Sequence, residues 1–360
     1  MAQPLKDLYN VGFIDNLADA IEPRYSKFDR IQFIETVFEN GWEDKELKER
    51  MRHISESLGQ ALPPNYKDAL AILMKICGGF DGGFEYMIFP DFVEVFGQDS
   101  WSLSMVALHE FTKYSSSEFA IRPFLQKDPK RGMQQMLDWS LDPNYHVRRL
   151  ASEGCRPRLP WAMSLARLKE DPSPIIPILE NLVSDPELYV RRSVANNLND
   201  ISKDHPEFAL SIAYQWHGKN DETDRLVKHA MRGLLKAGHP KALRLFDFED
   251  PAGMEIKELE LGADHIQLGD KLDFSFVLST PKPAKVRLEY AIHYVKANGS
   301  KSPKVFQIAE KRLKAGDHPF HRKQLFKDLS TRKHYAGGHE IDIRVNGVVM
   351  AREIFELVNA

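Results

Sequence analysis

The spacing of apolar residues changes once along this chain. Up to about residue 250 they recur every three to four positions, as in DRIQFIETVFENGW from Asp29, NYKDALAILMKIC from Asn65 and SLSMVALHEFTKY from Ser102. That period puts one apolar stripe on each segment and predicts amphipathic helices. Two of the helical stretches share a sequence. DPNYHVRRLASEG from Asp142 reappears 43 residues later as DPELYVRRSVANN from Asp185, and a more divergent copy, DETDRLVKHAMRGLL, begins at Asp221. Repeats of about 36 to 47 residues belong to solenoids of paired helices, because each pair can bury its apolar face only against its neighbours. In each of the first two copies Asp-Pro ends one helix and the V-R-R line opens the next.

Beyond Asp250 apolar and polar residues alternate instead. LDFSFVLS, KVRLEYAIHYV, KVFQIAEKRL and HEIDIRVNGVVMAREIFEL are rich in β-branched and aromatic residues, and Asn346-Gly347 is a hairpin turn signal. Several short strands in about 100 residues predict a small β-sandwich of immunoglobulin-like size. The expected architecture is therefore mainly α. A HEAT-like helical solenoid over residues 1–252 precedes an immunoglobulin-like β domain over 253–360, with the boundary inside KALRLFDFEDPAGME.

Length and composition agree with two folded domains: 360 residues, 42% hydrophobic and 28% charged. MAQPLKDLYNVGF lacks the basic start and apolar run of a signal peptide, and no uncharged stretch reaches membrane-spanning length, so a cytosolic location is expected. Cys77 and Cys155 are too few for a disulfide framework or a cysteine zinc site. The 13 histidines include no HExxH, and no metal or cofactor is expected. A net charge of −3 gives no overall nucleic-acid signal, but the balance is uneven: from Met254 onward 18 Lys and Arg stand against 14 Asp and Glu. A polyanion would have to be held by local basic stripes.

Such stripes exist on paper. Positions four apart share a helix face, which lines up Arg149 with Glu153, then Arg192 with Asn196 and Asp200, then Lys228 with Arg232 and Lys236. Stacked side by side, these helices would set cations around two carboxylates. The same pattern also reads as exposed helix pairs and a solvated helix end. Glu118 follows Ser115 at the spacing of a capping box, and Trp161 after Pro160 reads equally as a helix-start anchor. Cys155 near His146 has the composition of a nucleophile pair, but at the small-residue end of a helix it reads as packing. GGFDGGF, residues 78–84, lacks the Lys-Ser/Thr of a phosphate loop and predicts a turn. The basic runs KANGSKSPK and HRKQLFKDLSTRKHY read as solvated loops or as nucleic-acid contacts.

The ordered combination of YSSSEFAIRPF, VRRLASEGCRPRLPW and VRRSVANNLNDISKDHP, followed by an immunoglobulin-like tail, resembles the AlkC branch of the AlkC/AlkD family of HEAT-like DNA alkylation repair glycosylases, over the whole length. The resemblance implies a monofunctional hydrolase of the N-glycosidic bond of cationic alkylated bases, 3-methyladenine and 3-methylcytosine, in duplex DNA. It implies that the base is not flipped; no cofactor is expected to be needed, and a monomer with no obligate protein partner and no membrane association is expected. It places active-site carboxylates at Glu118, Glu153 and Asp200 and an aromatic wall at Trp161. Glu153 and Asp200 are expected nearest the sugar, with Glu118 in support. The cations expected on phosphates are Arg148, Arg149, Arg156, Arg158, Arg191, Arg192, Lys228 and Arg232, with the tail domain clamping the duplex from the other side. The competing reading is a non-catalytic HEAT-repeat scaffold or DNA-binding protein using the same concave basic face. A lyase working through a lysine Schiff base is disfavoured, since no lysine falls between Glu153 and Trp161.

Overall fold

The computed structural model describes residues 4–39, 41–328 and 333–359. The apolar periods become helices where they were expected: Arg30–Val37, Tyr66–Ile76, Trp101–Phe111, Pro129–Trp139, Tyr145–Gly154, Ile176–Leu182, Leu188–Asp204 and Asp221–Ala230, among others. The helix Leu188–Asp204 packs between Tyr145–Gly154 and Asp221–Ala230, as a stacked solenoid requires. Val147, Leu150, Val190, Val194, Leu198, Leu226 and Val227 bury the shared face.

The repeated motif has a structural logic that its sequence did not reveal. Asp142 and Asp185 each accept a hydrogen bond from the backbone N–H two residues on, closing the Asp-Pro turn. The first arginine of each V-R-R then folds back over its own turn. Arg148 Nη1 donates to the carbonyls of Asp142 and Pro143 at 3.0 and 2.9 Å, and Arg191 Nη1 donates to those of Asp185 and Pro186 at 2.5 and 2.8 Å. Each also reaches an acid at the start of the next repeat: Arg148 forks onto Asp185 at 2.6 and 3.1 Å, and Arg191 meets Glu222 at 3.2 Å. These two guanidiniums stitch consecutive repeats together. Both were expected on phosphates, and here both are engaged within the chain.

The third repeat departs from the expected line. Its helix stops at Ala230, and Arg232–Lys236 is a separate short helix after Met231, so Lys228, Arg232 and Lys236 do not share one helical face. By proximity the chain groups into two compact units, one reaching to His205 and including Trp216–Ala230, the other made of Pro206–Gln215 and the described residues from Met231 on.

In the second unit β1 (Glu255–Leu261), β3 (Lys271–Thr280) and β6 (Gly316–Leu325) form one sheet. The other contains β2 (His265–Gln267), β8 (Val348–Val358), β7 (Gly337–Val345), β4 (Ala284–Val295) and β5 (Lys301–Leu313), in that order. Phe274, Phe276, Leu288, Ile292, Ile341, Ile343, Phe326 and Phe355 fill the space between. Asn346 and Gly347, at φ of 47° and 80°, make the β7–β8 hairpin that the sequence announced. This turn lands on Gly238, where a Cβ on Gly347 would lie 2.5 Å from the Gly238 Cα, so both positions must lack a side chain. Lys285 Nζ donates to the Phe246 carbonyl at 2.8 Å and Asn346 Nδ2 to that of Glu249 at 2.8 Å. Those contacts tie the segment before the first strand to the sandwich. The run HRKQLFKDLSTRKHY is not all loop: it begins inside β6, and its residues 329–332 lie outside the described residues. KANGSKSPK likewise runs into β5 at Lys301.

Because Arg148 is paired and only 15% exposed, its loss leaves the nearly buried Asp185 without a counterion. We predict that Arg148→Ala lowers the unfolding free energy by about 3 kcal/mol, read from urea denaturation. An unchanged midpoint would show that the bridge between repeats contributes nothing.

Candidate active site

The site is built on three pieces of the helical body: the turn Ser115–Ile121, the helix Tyr145–Gly154 with the loop that follows it, and the helix Leu188–Asp204. The last two are held in close register by small polar residues. Asn197 Nδ2 donates to the Ser152 carbonyl at 2.7 Å, and the Ser152 and Ser193 hydroxyls meet at 2.6 Å. Ser193 donates in turn to Glu153 Oε2 at 2.6 Å.

From that junction runs a chain of alternating charge. Glu118 pairs with Arg149, which also approaches Glu153 Oε1 at 3.4 Å. Arg156 spans the next gap, with Nη1 2.6 Å from Glu153 Oε1 and Nε 2.8 Å from Asp200 Oδ2, and Lys203 closes the series at 2.9 Å from Asp200 Oδ1. Three carboxylates thus meet three cations. Burial pushes the Glu153 carboxyl upward, but Arg149 and Arg156, with hydrogen bonds from Ser193 and Arg156, outweigh it and hold the group below the ordinary carboxylate range.

The three carboxylates differ in exposure. Glu118 lines an open cavity of about 320 Å³ together with Phe84, Ser116, His146, Arg149 and Tyr189. Glu153 and Asp200 lie behind it at 5% and 1% exposure. Asp200 turns inward because eight helical residues rotate it by about 80° from Arg192, which stays exposed with no hydrogen bond or ion pair among the described residues. It is not a solvated helix end. Nor is Glu118 a capping residue for Ser115: its carboxylate takes the Ser116 hydroxyl at 2.7 Å as well as Arg149.

Trp161 is 63% exposed on the loop after Gly154, outside any helix, and its ring meets Phe84 of the cavity wall edge-on at 6.4 Å. Its φ is +62°, a conformation that costs a bulky side chain about 1–3 kcal/mol unless its surroundings enforce it. The glycine run completes the wall. Gly82 sits at φ +79°, where a Cβ would come within 2.7 Å of the Tyr114 carbonyl, and Gly83 N–H donates to the same oxygen.

Among the other expected cations, Arg156 is buried inside the charge chain, and Arg158 forks onto Asp204 at 2.8 and 2.6 Å while remaining partly exposed. Lys228 is half-buried, and Arg232 belongs to the other compact unit. Cys155 is packed: burial pushes its thiol up to about 12, and it lies 3.4 Å from Asn197 Nδ2. Among the described residues no group of His, Cys, Asp and Glu is arranged to hold a metal. A larger depression of about 800 Å³ between the helices Trp101–Phe111 and Pro129–Trp139 is lined by His109, Asp128, Lys130, Arg131 and Asp138.

Sequence reasoning missed Tyr189, whose ring receives the Arg149 guanidinium at 5.0 Å, and Phe84. It also missed Arg122, which is completely buried and, among the described residues, donates only to main-chain carbonyls. Desolvation lowers its pKa to about 10, so it remains charged at neutral pH.

With the geometry in hand, comparisons with known proteins are informative. Residues 255–359 match the family model for the C-terminal Ig-like domain of the uncharacterised protein YhaZ, and residues 175–205 match a HEAT repeat. Uncharacterized protein YhaZ of Bacillus subtilis (strain 168) is 46% identical over 96% of this chain and 97% of its own length. The Pseudomonas fluorescens alkylpurine DNA glycosylase AlkC, solved bound to DNA containing an abasic site analog, is 40% identical over 99% of this chain and 100% of its own, with a TM-score of 0.95.

Because Glu153 has a lower pKa folded than unfolded, it stabilises the fold fully above the usual carboxylate value of about 4.3. That contribution is lost as pH falls through the folded value. The stability gap between wild type and Glu153→Gln should therefore narrow on acidification, measured by thermal denaturation from neutral into acidic buffer. A gap independent of pH would contradict the assignment.

Proposed function

We propose, for a chain that belongs to the AlkC branch of the AlkC/AlkD family of HEAT-like repeat proteins, that it is a monofunctional DNA glycosylase acting on cationic alkylated bases in duplex DNA. The substrates are 3-methyladenine and 3-methylcytosine. The observation that carries the reading is the gathering of Glu118, Glu153 and Asp200 into one ion chain, beside a cavity whose wall continues through Phe84 to Trp161.

The chemistry fits those groups. Methylation at N3 leaves the base positively charged and already a good leaving group. As the glycosidic bond breaks, positive charge moves onto the deoxyribose. Glu118, at the open edge, faces that charge most directly and positions the attacking water, with Glu153 joined to it through Arg149. Preorganised anions of this kind stabilise a developing cation without reorganisation. Trp161 offers its face to the cationic base or sugar, a contact of about 2 kcal/mol where water is excluded. The duplex is held by Arg149 at the cavity and by surface cations such as Arg158 and Arg192, with Lys228 and Arg232 further along the chain. Arg148, Arg156 and Arg191 act within the fold. The lesion stays in exposed, deformed DNA, the protein works as a monomer, and no cofactor takes part.

A scaffold that merely binds DNA needs the cations but not the carboxylates. Incubation with methylated duplex should release 3-methyladenine, and Glu118→Gln should reduce that release by at least about 100-fold while duplex affinity persists. Release no faster than the spontaneous rate, from folded wild-type protein that binds DNA, would leave only the scaffold.

A further inference from the structure

Trp161 stands in a strained conformation on a loop that has little secondary structure of its own, and two cations from elsewhere in the helical body converge on that loop. Lys48, in the helix Leu47–Ala61, donates from Nζ to the Trp161 carbonyl at 2.9 Å. Its ammonium also lies 4.4 Å above the Phe119 ring, which fixes where the side chain can go. Arg122, the first residue of the helix Arg122–Lys127, grips the loop from inside. Its Nε and Nη2 donate to the Met163 carbonyl at 2.8 and 2.5 Å, and its Nη1 donates to the carbonyls of Gly154 and Arg156 at 2.9 and 2.8 Å. The bonded carbonyls therefore lie at the start of the loop, at Trp161 itself and two residues past it.

We infer that Lys48 and Arg122 are positioning residues that clamp the backbone on both sides of Trp161 and so hold its indole at the cavity rim. This rests on the reading of Trp161 as a wall of the site. Among the described residues Arg122 has no carboxylate as a hydrogen-bond partner, which is costly for a guanidinium at 0% exposure and makes sense only through the carbonyls it collects. Gly154 closes its helix, so its carbonyl adds the negative end of the helix dipole to the attraction. Five N–H donors in a fixed fork can bind three carbonyls at set angles, which an ammonium cannot. The segment that presents Glu118 runs directly into Arg122, so one stretch of chain sets both the acid and the aromatic.

The test labels the five tryptophans with 5-fluorotryptophan, assigns the Trp161 resonance by its absence in Trp161→Phe, and compares variants. Lys48→Met keeps the stem over Phe119 and removes the donor. It should shift or broaden the Trp161 resonance and leave the other four unchanged. Turnover on saturating methylated duplex should fall about 10- to 100-fold with KM unaltered, and Lys48→Arg should restore both readouts. Arg122→Lys should move the same resonance further. An unchanged Trp161 resonance in folded Lys48→Met overturns the inference. So does a loss of duplex affinity with a flatter salt dependence but no spectral change, since Lys48 would then be a phosphate contact. If wild type releases no base, the enzyme reading fails, and the resonance still decides whether the clamp exists.

Discussion

The helical body depends on the ion chain from Glu118 through Arg149, Glu153, Arg156 and Asp200 to Lys203. Each buried member would be untenable alone, since removing an ion from water costs several kcal/mol even after relaxation. Together they satisfy one another, but only if two helices and a loop meet in one register. The Ser152, Ser193 and Asn197 contacts supply that register because short polar side chains let the helices approach closely enough for hydroxyl to meet hydroxyl. Packing and charge are one constraint here: a shift along the helix Leu188–Asp204 would break the serine contact and strand Asp200 together.

The repeat motif divides its labour between neighbouring arginines. Adjacent positions on a helix point about 100° apart, so the first arginine of V-R-R turns back over the Asp-Pro turn while the second faces away from it. Arg148 and Arg191 accordingly do the same internal work in consecutive repeats. Arg149 and Arg192 differ, because Arg149 finds Glu118 and Glu153 while Arg192 finds no acid among the described residues and stays in solvent. A basic dipeptide in a repeat protein is thus one structural residue and one variable residue, and counting both as surface charge overstates the basic face.

Much of the fold was legible because it follows from periodicity. The Trp101–Phe111 helix, the alternation in β3 and the Asn346-Gly347 hairpin each have a local cause that sequence displays directly. β6 was not legible, since GDHPFHRKQL looks polar until β3 pairs with it. The helices after Met231 were expected from their period, but their grouping was hidden for a related reason: Gly238, Phe246 and Glu249 associate with the sandwich through contacts far along the chain. In the site, Glu153 and Trp161 were nominated by their motif. The burial order of the carboxylates was not, because i, i+4 reasoning treats a helix face as flat and loses the rotation that carries Asp200 inward. Arg122 was invisible in principle: nothing in FAIRPF says that its partners are carbonyls more than thirty residues away.

The lowered pKa of Glu153 bears on which lesions such a site can process under the proposed reading. A neutral leaving base must be protonated as it departs, which calls for a carboxyl whose pKa is raised toward neutrality so that it arrives with a proton to give. Glu153 is displaced the other way, held ionised by Arg149 and Arg156, and is a poor proton donor. An anion that cannot donate a proton still stabilises a cation, and the stabilisation grows as charge moves from base to sugar. Bases that are already cationic need nothing more, because methylation has done what a general acid would do. The guanidiniums that keep Glu153 ionised are thus the same ones that tie the two helices and the loop into one ion chain.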